Sequence, residues 1–318
     1  MKYALFLLKF QNMKRIGIIG LNEQAIHHIK RIKEINDFEL VGLYDHNAVL
    51  AKKTANMYGL KSYHCPIDLI EQVEIIDFIA PHPMDYDNIS MAIKSSRHLF
   101  LEDYFLQDMD KAMKIMNLAE EAQVKVQVSR CDRYNPAVKK ARKYIQSPSF
   151  IETRRALAYS EQSSDIDPIM ELLMKDVDLI MSFVDSGIRK IQTRTNNPFS
   201  DKVELINVRI EFDNSCVANL NLSSLSSISY SKAAFYQNTG VIHIDLHDNK
   251  LEILSGAKDQ QNNKIVSFKT DKTKFDSLTT ELESFSDCID KNSNPIVGLR
   301  DLTSVLEVMN EIKSQISN

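Results

Sequence analysis

Residues 15–45 read RIGIIGLNEQAIHHIKRIKEINDFELVGLYD, and this stretch decides the fold. Its first six residues, Arg15 to Gly20, are a short β-branched run of the kind that forms a strand buried on both faces. Ala25, Ile26, Ile29, Ile32 and Ile35 then recur at helical spacing with Lys and Glu between them, which predicts an amphipathic helix. FELVGLYD, residues 38–45, is a second buried strand. Strand, helix and strand in so short a span make a right-handed βαβ unit, the building block of a parallel sheet.

The same rhythm continues downstream. AVLAKKTANMYG is helical and closes on Gly59, and VEIIDFIAP is a buried strand stopped by Pro81. YDNISMAIKSS and MDKAMKIMNLAEEA read as helices around the strand HLFLED, and VKVQVS is a further strand. The fold class is therefore α/β, a doubly wound parallel Rossmann sheet over residues 14–134. After about residue 135 the pattern changes. NPAVKKARKYIQ starts a helix, with Asn135 as N-cap and Pro136 at its first position. PIMELLMKDVDLIMSFV is helical, and ELINVRIEFDN, CVANLNLSSLSS, SKAAFYQNT, GVIHIDLHD and KLEILSG alternate as strands between Asn, Asp and Gly turns. Residues 135–318 thus form an α+β domain on a large, mostly antiparallel sheet open on one face. Two helices close the chain, and the last is expected to pack back on the first domain.

Composition excludes several classes of protein. An apolar fraction of 43%, a charged fraction of 26% and a net charge of −4 over 318 residues suit a globular protein with no nucleic-acid or anionic-membrane partner. Cys65, Cys131, Cys216 and Cys288 are scattered, which argues against a zinc site or disulfide framework and suits a reducing cytoplasm. The opening arm, residues 1–13, has an apolar run too short for a signal peptide or membrane span. It reads as a dispensable arm, or as an upstream start with Met13 the real one.

In a doubly wound sheet, ligands sit beyond the carboxyl ends of the strands at the switch in strand order. The first turn reads Gly20, Leu21, Asn22, Glu23, Gln24, Ala25 against a dinucleotide fingerprint of G-x-G-x-x-G/A. Gly20 and Ala25 fit the tight-turn and helix-packing roles. Asn22 stands where a glycine lets backbone approach a pyrophosphate. Asn tolerates positive φ, yet its side chain fills space the phosphates would use, and Glu23 adds a negative charge. The turn reads equally as a ligand-free connection. Asp45, ending the second strand, is placed to accept from a ribose 2′-OH and to repel a 2′-phosphate, so NAD is expected over NADP. A solvated strand-end acid is the alternative.

These pieces together resemble the Gfo/Idh/MocA oxidoreductases, from Lys14 over nearly the whole chain. The likeness rests on RIGIIGLNEQA, FELVGLYDHN, IIDFIAPHP, SSRHLFLEDYF and GLRDLTSVLEVMNEI. A narrower likeness is to the branch acting on UDP-N-acetylglucosamine at sugar C3. It rests on RYNPAVKKA (133–141), MELLMKDVDLIM (170–181) and VRIEFDNSCVANLNLSSLS (208–226). The resemblance implies a nicotinamide cofactor held by Gly20, Leu21, Asn22, Asp45, Pro81, His82 and Glu102, with no metal. It also implies a homo-oligomer formed through the second domain's open sheet, which the apolar alternation of CVANLNLSSLS would allow.

The departures from the family fall on its chemistry. The family ends the strand like HLFLEDY in Glu-Lys-Pro, whose lysine assists proton transfer. Here Glu102 is kept, Asp103 stands at the lysine and Tyr104 at the proline. The family's Asp-x-x-x-His-x-x-Asp is here Glu171, Lys175 and Asp178. Arginines expected of the branch appear as Ser224, Ser231 and Ala234. Two functional readings follow. In one, a dehydrogenase works with exchanged charges, using Asp103, Lys175 and Asp178 as catalytic groups and Arg130, Arg133 and Lys175 on an anionic substrate such as a nucleotide sugar. In the other, the chain is a former enzyme that binds a nucleotide or sugar without turnover. Lys175 is also explained simply as an (i, i+4) partner of Glu171. His82 and Asp85 follow a strand end and either contact ligand or are solvated. His27 and His28 adjoin on one helix, so one must point away from the other and they make no metal pair.

Overall fold

A computed structural model of the chain describes residues 13–79, 85–102, 108–158, 168–200, 202–255, 264–269 and 276–316. It divides into two compact units, Met1–Arg130 with Leu278–Thr303, and Cys131–Ser277 with Ser304–Asn318. The boundary lies at residue 130, four residues before the expected 134, and the first unit also recruits chain from near the C-terminus.

The first unit contains β1 (Lys14–Ile19), α1 (Glu23–Glu34), β2 (Phe38–Tyr44), α2 (Ala48–Tyr58), β3 (Lys61–Ser62) and α3 (Pro66–Ile70). There follow β4 (Ile75–Phe78), α4 (Asp85–Lys94), β5 (His98–Leu101), α5 (Met109–Glu121) and β6 (Val126–Val128). All six strands are parallel, in the order β3-β2-β1-β4-β5-β6, so the order switches between β1 and β4. β1 and β4 are apolar because the sheet is covered on both faces; Ile16, Ile18, Ile75 and Ile76 are wholly buried. Gly17 is needed there, since a Cβ would fall 2.7 Å from Leu69 Cδ1. On α1, Ala25, Ile29 and Ile32 face the core with His28, while His27 is exposed.

The second unit opens with α6 (Cys131–Tyr134) and α7 (Pro136–Ala141). Asn135 caps α7: its Oδ1 accepts from Ala137 N–H at 2.9 Å and Val138 N–H at 3.4 Å, as the Asn-Pro pair predicts. β7 (Phe150–Ala158) and α8 (Pro168–Met181) precede β8 (Ile188–Asn196), β9 (Leu205–Phe212), β10 (Val217–Ser226) and β11 (Tyr230–Gln237). β12 (Gly240–Asp245), β13 (Lys250–Ser255) and β14 (Lys264–Lys269) complete one eight-stranded sheet. Its order is β14-β13-β12-β11-β7-β10-β9-β8, with only β7 and β10 parallel. α9 (Ser277–Asp290) belongs to the first unit from Leu278 onward, and α10 (Leu299–Ile316) begins there and ends in the second.

One face of the large sheet carries Ala218, Leu220, Leu222, Val208, Ile210 and Phe235, packed in one core with Leu173, Val177 and Ile180 of α8 and Val308 and Ile312 of α10. The period of two therefore turns the apolar residues of CVANLNLSSLS inward. Asn219, Asn221 and Ser223 take the opposite face; Asn219 and Asn221 lie beside Glu152 and Arg154 of β7, with Lys232 of β11 and Glu252 of β13 further along the sheet. The open face is largely charged and polar, and the apolar residues of the alternation belong to the core.

Candidate functional site

The first turn keeps the backbone shape of a dinucleotide site. Gly20 has φ +89°, a left-handed conformation that favours glycine, and its N–H donates to Tyr44 O at 2.9 Å. Leu21 N–H donates to Asp45 Oδ2 at 2.7 Å, and Asp45 Oδ1 accepts from Asn47 N–H at 2.7 Å. Asp45 thus lashes the turn to the end of β2, and each oxygen keeps a lone pair for a hydroxyl donor. Asn22 does not use the positive φ that asparagine tolerates; its φ of −146° and ψ of −168° are extended backbone open to any residue. Its reason is capping, for Oδ1 accepts from Ala25 N–H at 3.0 Å. A side chain therefore occupies one of the N–H groups with which a helix N-terminus would meet a phosphate.

At the other strand ends, Pro81, His82, Asp103 and Tyr104 lie outside the described residues. Asp85, at the start of α4, is buried. Glu102 follows β5, is 7% exposed, and faces the core: its Oε1 lies 3.3 Å from His28 Nε2. His28 Nδ1 lies 2.8 Å from Asp77 Oδ2 in the middle of β4. Burial alone would lower the imidazole pKa, but the charges of Asp77 and Glu102 push it up to about 10. His28 is an imidazolium at neutral pH. Burial raises Asp77 and the His28 charge opposes that rise. Glu281 of α9, wholly buried, is held well above the carboxylate range by burial and by the charge of Glu102, so it is a neutral acid. Arg130 is also buried, its Nη1 donating to Ser129 O at 3.1 Å.

In the second unit the expected residues are committed to one another. Arg133 grips Asp178 with two prongs, Nε to Oδ2 at 2.7 Å and Nη2 to Oδ1 at 2.8 Å, both side chains buried. Arg155 of β7 joins Asp176 of α8 to Asp132 of α6, the second contact at 2.6 Å, and Thr153 Oγ1 donates to Asp176 Oδ2 at 2.6 Å. Lys175 Nζ meets Glu171 Oε1 at 2.6 Å, with its side chain 26% exposed. Burial would lower its pKa, but interactions with Cys131, Glu171 and Asp132 outweigh this and raise it. A base must be unprotonated near neutral pH, and this amine is not.

Sequence reasoning named Glu102, Arg133, Lys175 and Asp178 as candidates and His28 only as half of a pair that holds no metal; it did not single out Asp77, Glu281, Arg155 and Asp176, which are buried charged groups here. Two of these carry a signal. Asp77 interrupts the buried run EIIDFIAP, and Glu281 shares the apolar face of Leu278, Leu282 and Phe285. A charge at either place demands a partner or a proton. No group of acids, histidines and cysteines among the described residues is arranged to hold a metal ion.

Comparison with known proteins agrees with this geometry. The family model "Oxidoreductase family, NAD-binding Rossmann fold" (GFO_IDH_MocA) matches residues 14–130. The UDP-N-acetylglucosamine 3-dehydrogenase of Acidithiobacillus ferrooxidans is 22% identical over 311 residues, covering 92% of this chain and 96% of that protein. A scyllo-inositol 2-dehydrogenase (NAD(+)) of Bacillus subtilis is 23% identical over 323 residues, covering 94% and 92%. A solved structure of the Acidithiobacillus enzyme shares the fold with a TM-score of 0.87 at 21% identity, over 95% of this chain and 97% of that one. Residues 14–130 thus match the Gfo/Idh/MocA model of NAD-binding oxidoreductases, and along nearly its whole length the chain resembles the UDP-N-acetylglucosamine 3-dehydrogenase of Acidithiobacillus ferrooxidans.

Proposed function

We propose that the chain is a nicotinamide-dependent dehydrogenase that oxidises a sugar carbinol, with a nucleotide sugar as substrate class and NAD preferred over NADP. The observation that carries this reading is the first turn, with Gly20 at φ +89° and Leu21 N–H tied to Asp45 at the switch in strand order. These residues fit a dinucleotide. Gly20, Leu21 and Asn22 bound the phosphate position, and Asp45 offers acceptors to a ribose diol while opposing a 2′-phosphate. Pro81 and His82 are assigned to the nicotinamide end, and Glu102 to the support of that end through His28. A nicotinamide held there would supply the hydride acceptor; the chain's own residues must bind the sugar and take up the hydroxyl proton.

The charge states decide how those tasks are shared. Lys175, as an ammonium, is assigned to stabilise developing negative charge on the carbinol oxygen, and Asp103 is the carboxylate that receives the proton. Asp178, gripped by Arg133, serves by positioning, and Arg130 joins Arg133 in the electrostatics of an anionic substrate. Turnover of UDP-N-acetylglucosamine with NAD, followed by NADH absorbance, tests the reading, and Asp103→Ala and Lys175→Ala should each abolish most of it. The closed ion pairs of Asp178 and Lys175 also favour a second reading, a binding protein without turnover. NAD binding with no reduction of NAD by nucleotide sugars would select it.

The protein is further proposed to be a cytoplasmic homo-oligomer, with four free cysteines and no helix among the described residues long and apolar enough to cross a membrane. Because the open sheet is charged, association through it would be polar, and light scattering should show the oligomer dissociating at high salt.

A further inference from the structure

Helix α1 is joined in sequence to β1 and β2, on one side of the switch in strand order; through His28 it also reaches β4 and β5, on the other side. The imidazole spans Asp77 and Glu102 at 2.8 Å and 3.3 Å, and its ring meets the edge of Phe100 at 6.1 Å between centroids. Among the described residues it is the only cation at ion-pair distance from either acid. The surroundings offer no substitute. Gln127 of β6 and Glu281 of α9 lie nearby, yet Gln127 Oε1 and Asp77 Oδ1 are buried without a hydrogen-bond partner, and Glu102 Oε1 has only the 3.3 Å ion-pair contact with His28. Asp77 and Glu281 are enclosed on all sides, so without His28 the acid able to find water is Glu102, at the strand end.

We propose that His28, held by Asp77, is a positioning residue of the dinucleotide site. It ties the helix that begins at the phosphate turn to the end of β5, and it keeps the Glu102 carboxylate turned into the core and away from the nicotinamide end. This inference rests on the dehydrogenase-fold reading above and names the residues that set the spacing between the two ends of the cofactor. It also gives Glu102 its role: an acid retained for its charge toward His28, not for a contact with ligand.

The test compares NADH with ADP-ribose, which lacks the nicotinamide, by calorimetry on the full chain. In His28→Gln, loss of a buried charged contact should weaken NADH about tenfold while ADP-ribose changes less than twofold. Asp77→Asn, which keeps the side-chain shape, should show the same selective loss and carries the test if His28→Gln does not fold. The double variant Asp77→Asn/Glu102→Gln should lose no more than Asp77→Asn alone, because both act through one contact. An unchanged NADH-to-ADP-ribose ratio in the variants overturns the inference and leaves the cofactor reading intact. Wild-type protein that binds neither compound overturns both.

Discussion

Replacing Arg155 with methionine leaves Asp176, which has no solvent exposure, with only the Thr153 hydroxyl at 2.6 Å. Removing one partner of a buried ion pair costs about 3–5 kcal/mol, because the other charge stays buried without compensation. The remaining Thr153 bond keeps the effect near the lower end, and Asp132, 16% exposed on its side chain, can rehydrate. We therefore expect a loss of roughly 3 kcal/mol, or about 6–12 °C in the melting temperature of a unit this size. The sign with pH follows from the same acid. Burial already raises the Asp176 pKa against the opposing Arg155 charge. Without the guanidinium the folded value rises further above the unfolded one, so the destabilisation is greatest at neutral and alkaline pH and shrinks as pH falls and Asp176 takes up a proton. Scanning calorimetry at several pH values resolves both effects. The variant Arg155→Met/Asp176→Leu removes both charges and should recover most of the loss. A single-variant cost under about 1 kcal/mol, or a double variant no better than the single, would refute the assignment of Arg155 as the counter-charge of this core.

Three further outcomes are expected. His28 gains stability as a cation: its folded pKa of about 10 exceeds the usual histidine value, so that contribution is full below about pH 6.5 and fades as pH rises toward 10. Melting temperatures should fall over that window, and His28→Gln should flatten the fall. Asn22→Gly frees the Ala25 N–H at the phosphate position, so dinucleotide affinity in calorimetry should rise severalfold while stability drops by only a few tenths of a kcal/mol. Lys175→Met breaks a partly exposed (i, i+4) pair and should change stability by less than about 0.5 kcal/mol, yet lower turnover by 10²-fold or more if the ammonium acts on substrate.

Much of the fold was legible because burial on both faces leaves its mark in runs such as RIGIIG and EIIDF. The parallel sheet, its helices, the Asn135 cap and the second antiparallel sheet all follow from local pattern. Four strands did not: β3 is only Lys61–Ser62. β7 places Thr153 and Arg155 on its buried face, β8 reads IRKIQTRTN, and β14 is a short edge strand with Ile265 exposed. Their polar positions break the alternation by which strands are recognised. Candidates for the site were legible one residue at a time: Asp45, Glu102, Arg133 and Asp178 stand out by type and place. Which residue pairs with which did not, because His28 meets Glu102 and Arg133 meets Asp178 across long stretches of chain, and periodicity carries no information about such contacts. Among the described candidates, Arg133 and Asp178 form one closed pair, and Lys175 meets Glu171 at (i, i+4), the alternative its spacing allowed.

Calorimetric titration of the full chain with NAD and then NADP, repeated in the presence of UDP-N-acetylglucosamine, tests the central claim most directly. The turn at Gly20 and the carboxylate of Asp45 predict saturable NAD binding with NADP at least about tenfold weaker. No binding of either dinucleotide at millimolar concentration would contradict the account.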